Sequence, residues 1–451
     1  MNVDVALLQR ESTGNPIRIG LVGAGVTGRA IALQLGTPAP GMRLVAIANR
    51  TLEHGERAFR EAGFQEWRRV TSARAAEASI KSGIPVLTDD PSALTTCPAI
   101  DILVEATGTI EAAAGVVLAA FEHGKHVVLV NAELDSLLGP ILKARADSAG
   151  VVVTHTDGDE PGVAMTLLRY LRSLGFRPVA AGNIKGMVDH YRTPETQREF
   201  AAKYGQDVHK VTSFADSTKL SMETTVLANA TGFHVGRRGM HGPSCSYVRE
   251  LTKLLPAEEM LKTGIVDYSV GAMPGTGAWV IVHEDAPLKQ AQLSYYKLGD
   301  GPFYLFYTPF HLPHVQLLST IGRAVVHQDP TVAPLAGPVC EVLTIAKRDL
   351  KAGERLDGVG GFCSYGLIDN RAAARAVDAL PIGLSEGCML RRDIAKDAVI
   401  SFNDVESPRG RLAEKLWREQ NQRWPLETTP SRSQFTQAPL GSEKDTQLSP
   451  I

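Results

Sequence analysis

Residues 17–28 read IRIGLVGAGVTG, a short β-branched apolar run that breaks into Gly23-x-Gly25-x-x-Gly28. The three glycines have separate mechanical jobs. The first permits a tight strand-to-helix turn, the second lets a pyrophosphate approach bare backbone, and the third lets helix and strand pack closely. Phosphates then rest on the free N–H groups and positive end of the following helix. A glycine fingerprint alone is a weak signal. Here it opens a helix over residues 29–35 and precedes a second apolar strand over residues 43–48, the setting of a dinucleotide-binding βαβ unit rather than of a structural turn. Gly23, Gly25, Val26, Thr27 and Gly28 are therefore the expected cofactor-binding turn.

The residues after the second strand select the dinucleotide. An NAD site places an acid there for the ribose 2′-hydroxyl, and an NADP site supplies Arg for the 2′-phosphate. The chain reads Asn49-Arg50, with no acid and with a guanidinium able to fork onto a phosphate. This pattern predicts NADP(H).

Composition narrows the remaining classes. The 451 residues, 44% hydrophobic and 21% charged, are those of a soluble protein of two or three domains. A net charge of −2 gives no footprint for nucleic acid or an anionic membrane. No apolar run is long enough to span a bilayer, and the first residues carry an acid where a signal peptide would be basic. Cys97, Cys245, Cys340, Cys363 and Cys388 are scattered and show no metal-binding spacing, which predicts reduced thiols in a cytoplasmic protein.

Strand and helix signals alternate after the fingerprint. Helices are expected over residues 54–62 and 72–82, and strands over 86–87, 100–106, 126–130 and 151–154, the last being the sixth. Runs that are apolar throughout and separated by helices describe a parallel sheet covered on both faces, with ligands at its carboxyl edge. Three loops end there: Glu105-Ala106-Thr107-Gly108, Asn131-Ala132-Glu133 and residues 156–161, which contain Asp159 and Glu160. Ala106, Thr107, Gly108, Asn131 and Glu133 are expected around the cofactor, with Thr107 and Asn131 touching its nicotinamide end. The periodicity then changes. Strands over 178–184, 211–214, 279–283 and 303–307 and a long helix from residue 216 predict an α+β substrate domain. Short β-runs beyond residue 338 predict a small β-rich third domain. The Ser-, Thr-, Gln- and Pro-rich end, from about residue 427, predicts disorder. The boundaries expected are 1–156, 157–335, 336–422 and 423–451.

The helix DSTKLSMETTVLANATG, residues 216–232, carries the candidate chemistry. At about 100° per residue, Asp216, Lys219 and Glu223 fall within about 60° of one another. Their neighbours on the wheel are apolar, whereas a solvated charged face would oppose the apolar stripe. This places them toward a cleft, where Lys219 can deliver a proton to a developing alkoxide, with Asp216 and Glu223 orienting it. His241, in the glycine-rich GMHGP, is a further proton donor. Lys185, Asn229, Asp159 and Glu160 are expected to bind substrate, and Arg237 and Arg238 are other basic candidates. Acids in a turn more often cap backbone than hold an ion, so no metal is predicted, although a divalent ion fits the residue types.

VEATG, GKHVVLVNAE and DGDEPG resemble the homoserine dehydrogenase type of Rossmann domain. FADSTKLSMETTVLANATG, GMHGP, VDYSVG and GPFYLFYTPFHL, over roughly residues 1–420, closely resemble the deoxyxylulose-5-phosphate reductoisomerase-like family. That resemblance implies an NADPH-dependent homodimer with a Rossmann domain, a catalytic and dimerisation domain, and a C-terminal SAF domain. It also implies conversion of deoxyxylulose 5-phosphate to methylerythritol 4-phosphate by skeletal rearrangement to an aldehyde followed by hydride delivery. Homoserine dehydrogenases carry Lys where Ala132 stands, which argues against homoserine as substrate. The expected function is NADPH-dependent reduction of a small sugar, sugar-phosphate or polyol carbonyl, with no nucleic-acid or membrane partner. The alternatives are a nucleotide-sugar or secondary-metabolite dehydrogenase and a non-catalytic NADP(H) sensor.

Overall fold

In the computed structural model, which describes residues 3–37 and 39–426, seven strands form one parallel sheet. They are β1 (Ile17–Val22), β2 (Met42–Ala48), β3 (Arg68–Arg69), β4 (Val86–Thr88), β5 (Ile102–Glu105), β6 (His126–Leu129) and β7 (Val153–His155). Their order is β3-β4-β2-β1-β5-β6-β7, so the strand order reverses at β1 and opens a crevice beyond its carboxyl end. The fold is therefore α/β with a Rossmann-type sheet. It has one strand more than the six that alternation predicted. β3 is two exposed arginines, too short and too polar to read as an apolar run. The expected disordered end from residue 427 lies outside the described residues.

Both faces of the sheet are covered, partly by chain that returns from far away. One core joins Ile19, Leu21, Ile31 and Phe59 to Leu317 and Ile321 of the late helix Pro313–His327. The other joins Leu103, Phe121 and Leu138 to Trp417 of the last helix, Leu412–Arg423.

A second sheet contains β8 (Arg177–Lys185), β9 (Ile265–Val270), β10 (Ala278–His283) and β11 (Phe303–Thr308) in the order β11-β10-β8-β9. The strand expected over residues 211–214 is instead part of the helix Val208–Ala215. Its start is fixed by Asp207, whose carboxylate accepts the His209 and Lys210 N–H groups at 3.0 Å each. Four residues cannot separate the two periods, and the capping Asp was the better signal. Beyond residue 338, β12 (Cys340–Ala346) and β13 (Ser364–Asn370) form an antiparallel pair, with a smaller pair β14 (Met389–Leu390) and β15 (Val405–Glu406). Leu350, Leu380, Leu390 and Ile394 of this segment share one core with Leu134 and Ile141 beside the Rossmann sheet. No helix among the described residues is long and apolar enough to cross a membrane.

The helix Thr218–Thr231 runs between these layers and is buried on nearly every side, hydroxyls included. Thr224 Oγ1 donates to the Leu220 carbonyl at 2.8 Å and Ser221 Oγ to the Gly366 carbonyl at 3.1 Å, so those polar groups are satisfied inside. The grouping of Asp216 with Lys219 is corrected here. Ser217 adopts a left-handed φ of 78°, which turns the chain before the first helical residue and takes Asp216 off the helix wheel. The fully buried Asp216 carboxylate accepts the Thr218 N–H and the Lys347 ammonium, each at 2.9 Å. Lys347 also donates to the carbonyls of Arg192 and Gly361, at 2.7 and 2.8 Å. Burial pushes the Asp216 carboxyl up and Lys347 opposes that push.

This pair locks the third segment to the start of the helix Thr218–Thr231. Removing one partner leaves an uncompensated buried charge, so Lys347→Met is expected to lower the unfolding free energy by about 3–5 kcal/mol in a urea titration. A loss below about 1 kcal/mol, the size of an exposed ion pair, would show that the pair does not anchor the helix.

Candidate active site

The turn after β1 is built as a cradle. Gly23 has φ 99°, and a Cβ there would lie 2.8 Å from the Ala106 carbonyl oxygen, so β5 closes on it from behind. A Cβ on Gly28 would lie 2.1 Å from the Gly23 carbonyl oxygen, the close helix–strand approach that only glycine allows. Gly25 differs. It caps the helix Val26–Gly36, is exposed, and a Cβ there would meet nothing within 4 Å. The helix end is open toward solvent at the one glycine where a pyrophosphate has to approach, so these residues fit a dinucleotide. Asn49 pins the turn: its Oδ1 accepts the Ala24 N–H at 2.8 Å and its Nδ2 donates to the Thr51 carbonyl at 2.7 Å. Arg50 is exposed and has no hydrogen-bond or ion-pair partner among the described residues.

The loops after β5 and β6 are braced by one carboxylate. Glu105 accepts the Thr107 N–H at 2.8 Å and the Asn131 Nδ2 at 2.7 Å. Burial pushes its carboxyl up, against those hydrogen bonds. Asn131 is fully buried, donates also to the Thr109 carbonyl at 2.7 Å, and accepts the Leu134 N–H at 3.0 Å. Its amide is committed to the protein and shapes the loop instead of reaching a ligand. Thr107 and Gly108 are partly exposed and form the loop rim. A Cβ on Gly108 would lie 2.5 Å from Lys210 Nζ, so this lysine lies across the rim.

Beyond the loops, charges from four segments meet. Lys219 Nζ stands 3.7 Å from both Glu133 Oε2 and Asp159 Oδ2. Lys185, at the end of β8, binds Glu160 at 2.6 Å and Glu223 at 3.1 Å. Asn183 Nδ2 also donates to Glu223, at 2.9 Å. Burial alone would lower the pKa of each lysine. For Lys219, Glu133 and Asp159 outweigh it, and for Lys185, Glu160 and Glu223 do, so both ammonium groups are held above the usual lysine range. Glu223 moves the other way: burial and the charge of Glu160 push its carboxyl up to about 8. Two ammonium groups thus face the carboxyl groups of Glu133, Asp159, Glu160 and Glu223.

Asp159 is held from behind by His155, a residue the sequence reading did not single out. His155 is fully buried, with Nε2 2.9 Å from Asp159 and Nδ1 3.0 Å from Asp135. Burial would lower its pKa, but the hydrogen bonds to the two carboxylates raise it to about 9. Burial would raise Asp159, yet Lys219 and His155 hold it well below the usual carboxylate range. A chain Asp135–His155–Asp159–Lys219–Glu133 results, in which each cation sits between two carboxylates. The spacing of four between His155 and Asp159 was the only local hint of it.

His311 was also missed. It follows β11 and brings Nδ1 to 3.4 Å from Glu160 Oε2. Asp159, Glu160 and His311 offer ligand atoms within 4.8 Å of one another. Glu160 already holds Lys185, and Asp159 holds His155 and Lys219. The donors are therefore compensated by the protein's own cations, and the set fits a divalent ion poorly.

Of the residues expected at the site, Glu133, Asp159, Glu160, Lys185, Lys219 and Glu223 come together. Asn229 does not join them, since its Oδ1 accepts the N–H groups of Val339 and Cys340 at 2.8 and 3.1 Å. The His241 ring is held by Glu259 at 2.8 Å, and its backbone N–H donates to Asp267 at 3.0 Å. A cleft of about 620 Å³ reaches Glu133 between Gly108, Lys210 and, from the third segment, Asp357 and Gly383.

The buried imidazolium fixes a pH dependence. A group whose pKa is raised by folding stabilises fully below its unfolded value of 6.5 and loses that contribution as pH rises through about 9. Glu223, raised from 4.5 to about 8, acts in the same direction over a lower, overlapping window. The His155 contribution to the unfolding free energy, from denaturant titrations, should fall by roughly 3 kcal/mol between pH 6.5 and 9. His155→Gln should flatten most of that slope, and an equal slope in both proteins would contradict the assignment.

Residues 23–155 match the family model of the homoserine dehydrogenase NAD-binding domain, and residues 158–317 match that of the catalytic domain of oxidoreductase DRL. No curated protein matches the chain. Among solved structures it is similar to a homoserine dehydrogenase from Thiobacillus denitrificans, at 17% identity over 84% of this chain and 97% of that one, with a TM-score of 0.41. It is similar to a probable dehydrogenase from Thermotoga maritima, at 14% identity over 70% and 91% and a TM-score of 0.40. A DOX-P reductoisomerase solved with NADPH, fosmidomycin and magnesium shares 16% identity over 47% and 57%, with a TM-score of 0.32. The two family matches give a nicotinamide-binding domain followed by the catalytic domain of an oxidoreductase.

Proposed function

We propose that the protein is an NADPH-dependent reductase of a small sugar, sugar-phosphate or polyol carbonyl, and in its sharpest form a reductoisomerase of the deoxyxylulose 5-phosphate type. The observation that carries this reading is the Lys219 ammonium, held between Glu133 and Asp159 next to the loops that end β5, β6 and β7. A bound nicotinamide supplies the hydride. The residues supply what a carbonyl needs to accept it. Lys219 stays protonated across the physiological range and offers N–H donors to the oxygen on which negative charge develops. An alkoxide is more basic than even this ammonium, so proton transfer from Lys219 runs downhill once the oxygen has gained charge. Glu133 and Asp159 fix the direction of the ammonium, and His155 fixes Asp159.

Preference for NADP(H) follows from the adenosine end. Asn49 stands in place of the acid that would bind a 2′-hydroxyl, and its amide is committed to the turn. Arg50 is left exposed and without a partner among the described residues. A phosphate on the substrate would be met by Lys210 in the cleft, because the two deeper lysines are already matched by carboxylates.

Two measurements test the reading. Lys219→Met should lower kcat for NADPH oxidation with deoxyxylulose 5-phosphate by about 10²–10⁴-fold while NADPH binding is retained. A loss within about threefold would remove Lys219 from the chemistry, since a general acid contributes far more. Arg50→Ala should raise the Kd for NADPH by about 10–100-fold, the value of a charge-assisted hydrogen bond, and leave that for NADH unchanged. Equal effects on both dinucleotides would contradict the assignment.

A further inference from the structure

Carbonyl reduction needs one proton at one oxygen, and Lys219 accounts for it. A second group suited to proton transfer stands beside Glu160, outside the ion pairs of Lys219. The loop after β11 passes directly over the Asp157–Glu160 loop. A Cβ on Gly158 would lie 2.4 Å from the Leu312 carbonyl oxygen and 2.5 Å from Pro313 Cα, so the contact exists only because residue 158 is glycine. That contact delivers His311 to Glu160. One oxygen of Glu160 is taken by Lys185 at 2.6 Å, and the other faces His311 Nδ1 at 3.4 Å. Nδ1 is shut off from solvent and has no hydrogen-bond partner. The imidazole is 29% exposed, so the ring is open on another side. A carboxylate behind one ring nitrogen of a partly exposed imidazole is the arrangement that holds a general base, and such contacts are often long before ligand binds.

We infer that His311 is a second proton-transfer residue, backed by Glu160, and that the substrate therefore carries a hydroxyl beside its carbonyl, as a ketose does. In this step the hydroxyl O–H proton passes to the free imidazole nitrogen, leaving the oxygen with the electron pair. That pair closes to a new C=O as a substituent on the same carbon migrates, with its carbon–carbon bonding pair, to the former carbonyl carbon, whose oxygen takes the proton back from the imidazolium held by Glu160. No electron is gained or lost. The inference rests on the proposed function, because a reductase of a simple carbonyl has no use for this group.

The test compares two substrates on the full-length protein with NADPH. Deoxyxylulose 5-phosphate must rearrange before reduction, whereas the corresponding branched aldehyde only needs to be reduced. His311→Gln is expected to lose about 10²–10⁴-fold in turnover of the ketose and to reduce the aldehyde within threefold of the parent. Glu160→Gln should slow the ketose in the same sense by a smaller factor. Lys219→Met should lose both activities, which separates the two roles. Equal loss on both substrates, or loss on neither, overturns the role of His311 and leaves the reductase reading standing. A parent protein that reduces neither compound overturns the proposed function, and this inference with it. The melting temperature is followed with and without Mn²⁺. A Mn²⁺-dependent rise that disappears in His311→Gln would make the residue a metal ligand and likewise overturn its role in proton transfer.

Discussion

The compensation of buried ammonium groups by buried carboxylates is the constraint on which the site depends. Lys219 and Lys185 are each taken out of water, which alone would drive their protons off. They stay charged because Glu133, Asp159, Glu160 and Glu223 approach from a helix after β6, the loop after β7 and the buried helix Thr218–Thr231. Moving any one of these elements would leave a bare charge inside the protein, at a cost of several kcal/mol. The cluster therefore works as a gauge of whether the Rossmann sheet, the second sheet and the central helix are in register.

The rest of the architecture holds that register. The helices Pro313–His327 and Leu412–Arg423 bring the chain back onto opposite faces of the first sheet, so the second sheet and central helix cannot drift from the loops after β5 and β6 without opening a core. The Asp216–Lys347 pair ties the start of the central helix to the third segment, and Asn131 and Glu105 tie the loops after β5 and β6 to each other. The candidate site lies where these ties converge, at the carboxyl edge of a parallel sheet.

What was legible in the sequence follows from what each signal measures. Strands buried on both faces announce themselves as continuous apolar runs, and Gly23 and Gly28 are forced by contacts that admit no Cβ while Gly25 leaves the helix end open, so the first domain and its cradle could be read directly. Lys219 and Glu223 were legible because charge inside an apolar stripe needs a reason, and Lys185 because it ends an apolar strand. Asp216 was misread because helical geometry was extended across Ser217, where the backbone is left-handed. Residues 211–214 were misread because a short helix and a strand share a four-residue pattern. Asn229 and Asn131 looked like ligand contacts, but a backbone N–H needs an acceptor as much as a ligand does, and no sequence signal separates the two uses. His155 and His311 were missed for a different reason. Each depends on a partner that the fold supplies, Asp135 on the helix after the neighbouring strand β6 for one and Glu160 under a distant loop for the other.

The central claim is that Lys219 faces the oxygen of the carbonyl being reduced. A structure of the protein with NADP⁺ and a bound ketose or its reduced product tests it most directly. The account predicts a ligand oxygen within about 3 Å of Lys219 Nζ, with Glu133 and Asp159 still holding that ammonium. A ligand whose reacting oxygen is bound by another donor, with Lys219 closed onto its carboxylates, would contradict it.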